Sequence, residues 1–208
     1  MRLLIRYTRQ RLVRPVVLAA VLLVSMGAAI IRIGDGLSIV SSIGLATLLV
    51  VAFRMADDIA DRERDRERHP DRAVVQAEFT APLAIAGATV WSGAAALAAV
   101  ARGPSAVVML GLFTIALTIW YRGRGIRSAS GDRILLLKYP VFTIVTAGVP
   151  PSLTPSGLFT LAVVYLAACV YEWAHDADSP ATRRERSIEA ALLAGACIAL
   201  ILSLGGIR

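Results

Sequence analysis

Cysteine is scarce. The chain has two, Cys169 and Cys197, both inside apolar runs and without a second Cys or a His at ligand spacing. A cysteine-based metal site is therefore excluded, and both thiols read as small core residues. Charge is scarce as well, at 18% of 208 residues, and no repeat, low-complexity tract or interdomain linker divides the chain, so residues 1–208 read as one domain. What is abundant is apolar: 57% of residues are hydrophobic and the mean hydropathy is +0.67, more than a soluble domain of this size hides. Several runs approach the roughly 20 residues that cross the hydrocarbon core, and they recur along the whole length, which a single signal or anchor does not explain.

Apolar runs between polar breaks give seven expected spans, at 15–33, 37–56, 80–101, 104–121, 134–150, 156–173 and 187–205. The expected fold is thus all-α, a polytopic membrane bundle of about seven helices. The breaks alternate in character. Arg2, Arg6, Arg9, Arg11 and Arg14 precede span one; Arg62, Arg64, Arg66, Arg68 and Arg72 follow span two. Arg122, Arg124, Arg127 and Arg133 follow span four, and Arg183, Arg184 and Arg186 follow span six. The other breaks, at Gly34–Gly36, Arg102–Pro104 and Pro150–Pro155, are short and nearly uncharged. This asymmetry sets the N-terminus and the even-numbered connections in the cytosol, in a multi-pass protein of the cell membrane. It also accounts for the net charge of +7 without a nucleic-acid partner, because the arginines are spread over four segments that contain no recognisable binding module.

Span two runs into Met55-Ala56-Asp57-Asp58-Ile59-Ala60-Asp61-Arg62-Glu63-Arg64-Asp65. If the helix continues, Asp57, Asp58, Asp61 and Asp65 share an arc of about 100°. Like charges at a membrane boundary repel and are expensive to desolvate, so a positive partner is expected there. Magnesium uses one or two carboxylates plus substrate phosphates, so this spacing suits Mg²⁺ bridging to a diphosphate. The alternative is a solvated helix on which Arg64 and Arg68 make surface ion pairs. Asp57 and Asp58 weigh against it, since they emerge directly from a hydrophobic span.

Span six ends in Tyr171-Glu172-Trp173-Ala174-His175-Asp176-Ala177-Asp178, on the same expected face. Glu172 and Asp176 are one turn apart and can address one site, whereas Asp178 points away unless the helix unwinds before Pro180. His175 reads either as a ligand or base or as a surface hydrogen-bonding residue. Two acidic clusters at span ends on one face suggest metal ions clamping a phosphorylated substrate between them.

These residues resemble the UbiA-type superfamily of intramembrane prenyltransferases, which carries an Asn/Asp-Asp-x-x-Asp-x-x-x-Asp motif after its second helix and a second acidic motif after its sixth. Here the first reads Asp57-Asp58-Ile59-Ala60-Asp61-Arg62-Glu63-Arg64-Asp65, with Arg68-His69-Pro70-Asp71-Arg72 resembling the basic tail, and the second reads Glu172-x-x-x-Asp176. Asp57 stands where many members have Asn and Glu172 where many have Asp; both keep an oxygen ligand. The family usually has nine helices, so either the bundle is minimal, or a second subunit, a second copy of the chain included, completes the cavity, or activity is altered. The resemblance implies Mg²⁺-dependent transfer of a prenyl group from an allylic prenyl diphosphate to an acceptor, an aromatic one included, at the cytosolic face of the bilayer. It makes Asp57, Asp58, Asp61, Asp65, Glu172 and Asp176 the metal-holding catalytic residues. Arg68, Arg72, Arg127 and Lys138 are the candidates for phosphate contact, with snorkelling to the interface as the other reading of Lys138. Two other readings keep the bundle: a UbiA-like terpene cyclase that cyclises the donor on itself, and a shortened non-catalytic relative serving as a scaffold or partner subunit. Trp120, Tyr121, Tyr139, Tyr171 and Trp173 read as an interfacial belt or, in part, as cation–π shields for an allylic cation.

The orientation is testable with reporters. Periplasmic-type reporter fusions after Gly34, Gly103 or Thr154 should be active, and those after Arg68 or Arg184 inactive; the opposite pattern overturns the charge-based topology.

Overall fold

Helix boundaries follow local chemistry closely. In the computed structural model, which describes residues 2–33, 39–123, 128–176 and 179–205, all regular elements among the described residues are helical. A short helix α1 (Arg2–Tyr7) runs into a π-helical turn (Thr8–Leu12), then α2 (Pro15–Ile31) and α3 (Ile39–Ala60). The stubs α4 (Arg62–Arg68) and α5 (Ala73–Gln76) lead to α6 (Ala81–Arg102) and α7 (Pro104–Gly123). Next come α8 (Ala129–Leu136), α9 (Lys138–Ala147), α10 (Val149–Ser152), α11 (Pro155–His175) and α12 (Arg183–Gly205). Proline stands in the first turn of α2, α6, α7 and α11, where its missing N–H costs nothing. Thr182 and Glu185 close a capping box ahead of α12: Thr182 N donates to Glu185 Oε2 at 2.7 Å and Glu185 N to Thr182 Oγ1 at 3.3 Å.

Five helices, α3, α6, α7, α11 and α12, are long and apolar enough to cross a membrane, and a sixth span exists if residues 2–12 and α2, bent by 69° at their junction, count as one. The windows of α7 and α12 are only 11% buried, and side chains such as Val100, Ile119 and Leu202 are exposed. Such faces suit lipid and not water. The protein is a membrane-embedded helix bundle.

Two of the seven expected spans differ: 15–33 is a 17-residue helix that counts as a span only together with the bent segment before it, and 134–150 is interrupted. The latter is broken at Leu137 into α8 and α9, and α9 has ten residues. Pro140 explains the break, because it has no N–H for the carbonyl of Leu136, four residues earlier, and its ring crowds that carbonyl. A short helix is tolerated at membrane depth when protein encloses it. That holds here, since α9 packs against α2, α3, α6, α7 and α11. Phe142 is its hub, 1% exposed, with ring-edge contacts to Phe53 (5.9 Å), Trp91 (6.5 Å) and Phe113 (5.7 Å).

The C-terminus of α9 lies among the arginines of the expected outer breaks. Gly148 (φ +97°) turns the chain, Arg32 Nη1 donates to Ala147 O at 2.9 Å, and Arg102 Nε donates to Thr146 O. Two guanidiniums thus satisfy carbonyls that would otherwise be orphaned in a low-dielectric interior, at the negative end of the helix dipole.

Close approach sets one testable packing constraint. A Cβ on Gly27 of α2 would lie 2.8 Å from Val164 Cγ2 and 3.0 Å from Thr143 Cγ2. Gly27→Val should therefore separate α2 from α9 and α11 and cost about 1–3 kcal/mol, read as a lowered midpoint of thermal unfolding in detergent.

Candidate functional site

The chemistry-bearing residues gather at the arginine-rich end of the bundle, where α3 and α7 finish and α2 and α9 begin. Asp58, 3% exposed near the end of α3, accepts from Tyr7 Oη at 2.8 Å and from Arg11 through a fork, Nε at 3.0 Å and Nη2 at 2.6 Å. Arg54, one turn earlier on α3, adds Nε at 3.5 Å. A fork of this kind is the strongest way to neutralise a buried carboxylate. Helical hydrogen bonding continues through the next segment, with Asp61 N donating to Asp57 O and Asp65 N to Asp61 O, each at 2.9 Å. The four aspartates nevertheless take different partners. Asp57 Oδ1 accepts from Tyr121 Oη of α7, Asp65 is buried against Arg72, and Asp61 has Arg64 at 3.7 Å.

Beside Asp58, a cleft of about 30 Å³ opens between α2, α3 and α9. Its wall is Val16, Val17, Ala20, Val50, Phe53 and Phe142, and its polar members are Arg54, Lys138 and Tyr139. Lys138, the single lysine of the chain, sets Nζ 4.2 Å from the Phe53 ring centroid and 5.1 Å from that of Tyr139. It is half-buried, with its ammonium against these rings. Arg54 Nε is buried without a hydrogen-bond partner. Arg68 is exposed, Arg72 is engaged with Asp65, and Arg127 lies outside the described residues.

The second acidic cluster lines a different cleft. Glu172 borders a space of about 20 Å³ with Asp132, Arg133, Cys169, Trp173 and Glu189. Arg133 is the centre of this group: Nε donates to Glu189, and Nη1 to Glu185 Oε1 at 3.1 Å. Asp176 caps the end of α11, with its backbone N donating to Glu172 O at 2.8 Å. His175 stacks on Tyr171 at 4.0 Å, and Trp173 lies under the Arg186 guanidinium at 5.7 Å. Asp178 lies outside the described residues. Helices α2 and α9 each pack against both α3 and α11; Glu172 lines the second cleft, and the lining of the first holds no carboxylate.

Among the described residues, no three His, Cys, Asp or Glu side chains group to hold a metal ion. An all-protein magnesium cage is thus not what these residues build. Magnesium arriving with a diphosphate needs only one or two carboxylates, and Asp57 and Asp61, half-buried and one turn apart, fit that lesser requirement. No family model, curated protein or solved structure matches the chain.

Sequence reasoning passed over Tyr7, Arg54, Glu185 and Glu189 and read Arg11 and Arg133 only as topology signals. A cue was present for two of them. Arg54 lies inside an apolar span four residues before Asp58, and Glu189 lies inside the expected span 187–205, so each is an ionisable group at membrane depth. Arg133→Met leaves Glu189, 8% exposed, without its partner, which should cost about 3–5 kcal/mol. Adding Glu189→Leu should recover most of that loss in the same thermal-unfolding assay.

Proposed function

We propose that the protein binds an allylic prenyl diphosphate at its arginine-rich end and transfers the prenyl group to an acceptor within the membrane, with Mg²⁺ as cofactor. One observation carries the reading: an apolar cleft at a helix-bundle mouth holds two cations, Arg54 and Lys138, beside a run of carboxylates at the end of α3. The resemblance of that run to the UbiA-type motif supports it. Mg²⁺ would be held by Asp57 and Asp61 together with phosphate oxygens and would neutralise charge on the departing diphosphate. Arg54 and Lys138 are preorganised cations for the same developing charge, where low dielectric makes them worth more than in water. Phe53 and Phe142 form a dry wall that keeps water from an allylic cation. At about 30 Å³ the cleft has room for about one water, so entry of a diphosphate requires α2 and α9 to part from α3.

The same tight cleft, together with the neutralisation of Asp58 and Asp65 by arginine, favours a second reading, a non-catalytic membrane relative. Purified protein given geranyl, farnesyl or geranylgeranyl diphosphate with Mg²⁺ separates them. Transfer predicts diphosphate release that EDTA stops, that Asp61→Ala and Lys138→Gln each lower about 10²-fold, and that yields an acceptor-linked product by mass spectrometry. Acceptor-free cyclic products would make it a cyclase. Folded protein that releases no diphosphate from any donor would leave the non-catalytic reading.

A further inference from the structure

We propose that Asp58 and Asp65 are anchors for an N-terminal strap that closes the arginine-rich end of the bundle, and that the ligand-facing carboxylates of the run are Asp57 and Asp61. The second half rests on the prenyl-diphosphate reading; the first stands on geometry alone. Residues 2–12 bend by 69° away from the axis of α2 and lie against α5 and α6. Their inner face is built as core: Tyr7 is 0% exposed and clusters with Met55, Val74 and Leu83, with Leu3, Leu4 and Leu12 packed around them. Polar contacts fasten the strap along its length. Gln10 Oε1 accepts from Ala73 N at 2.8 Å, Arg6 Nη2 donates to Asp71 O at 3.2 Å, and Tyr7 and Arg11 both end on Asp58.

Both oxygens of Asp58 are used in this way, Oδ2 by Tyr7 and Arg11 Nε and Oδ1 by Arg11 Nη2. A metal ion at Asp58 would have to expel a buried phenol and a forked guanidinium and leave both without partners. Asp65 works on the receiving side. It pairs with Arg72, whose neighbour Ala73 carries the amide that Gln10 caps, so the ion pair holds the 61–76 segment in the position that the strap docks against. Arg62 locks the far end of that segment, donating to Val74 O at 3.1 Å and to Ala77 O. The run after α3 thus has a division of labour: apart from Arg54 on α3 itself, the side-chain partners of Asp58 and Asp65 come from the strap and from the loop beneath it.

Hydrogen exchange on the full chain in detergent, with Mg²⁺–pyrophosphate as the probe ligand, tests both halves. Arg11→Gln and Asp58→Asn, made singly, should each speed exchange of the 2–12 amides at least about tenfold and lower the unfolding midpoint by about 10 °C. Combined, the two amides can bond to each other and to Tyr7, so exchange should return toward the wild-type rate while pyrophosphate binding stays within about threefold of wild type. Asp57→Asn should abolish that binding. If a single variant fails to fold, Arg11→Lys, which keeps the charge and loses the fork, should give intermediate exchange. Unchanged exchange in the single variants overturns the anchor, and loss of binding in the double variant as complete as in Asp57→Asn overturns the division of labour. A wild-type protein that binds no pyrophosphate overturns the assignment of Asp57 and Asp61 along with the prenyl-diphosphate reading, while the exchange rates still decide the strap.

Discussion

A carboxylate buried at the end of an apolar helix cannot stay uncompensated, and Asp58 sets that condition for this end of the bundle. Three groups from two elements meet it: Tyr7 and Arg11 from the N-terminal segment and Arg54 from α3 itself. Leaving such a charge without its partner costs about 3–5 kcal/mol, a large part of a domain's net stability. The N-terminal residues are therefore bound into the fold and do not trail from it. Their docking fixes the bend before α2, and the start of α2 supplies Val16, Val17 and Ala20 to one wall of the cationic cleft.

The other end of the bundle solves the reverse problem with the same residue type. Arg32 and Arg102 bond to the last carbonyls of α9, and Arg102 reaches Ser41 and Ser42 as well, at 3.3 and 3.2 Å. Half-charges at a helix terminus and full charges on guanidinium are a natural match where water is scarce. This is why α9 can stop after ten residues in the middle of the protein. Its C-terminus meets protein donors, and its flanks meet Phe53, Trp91 and Phe113.

Long helices were legible in the sequence because hydropathy reports a property of single segments. The helices long and apolar enough to span, Ile39–Ala60, Ala81–Arg102, Pro104–Gly123, Pro155–His175 and Arg183–Gly205, match the expected spans 37–56, 80–101, 104–121, 156–173 and 187–205, with Thr80 just outside its helix and residues 37–38 outside the described residues. The 134–150 run was not legible in the same way, because its mean hydropathy hides the consequence of one residue, Pro140. The acidic run was read as a stripe on a continuing helix; helical hydrogen bonds do run through Asp61, although α3 gives way to α4 there. Where each carboxylate turns was not, because the partners come from far along the chain: Tyr7 is 51 residues from Asp58 and Tyr121 is 64 from Asp57. Periodicity places side chains on a face, and only tertiary packing decides which cations reach them.

The start of α9 is where these constraints meet. Lys138 faces the cleft beside Asp58, and Arg133, five residues earlier on α8, organises the cleft that Glu172 lines, with the Leu137 break between them. A single rigid helix through this stretch would fix the two clefts to one another. At the joint weakened by Pro140, Leu136 of α8 and Tyr139 of α9 pack on shared side chains, among them Cys169 and Leu23. Any ligand that must reach both acidic helix ends has to bring these clefts together. The Glu189–Arg133 ion pair ties α8 to α12, which packs on α11, and the Asp58–Arg11 pair ties α3 to the N-terminal segment, so the Leu137 break lies between an element anchored at one cleft and an element that lines the other.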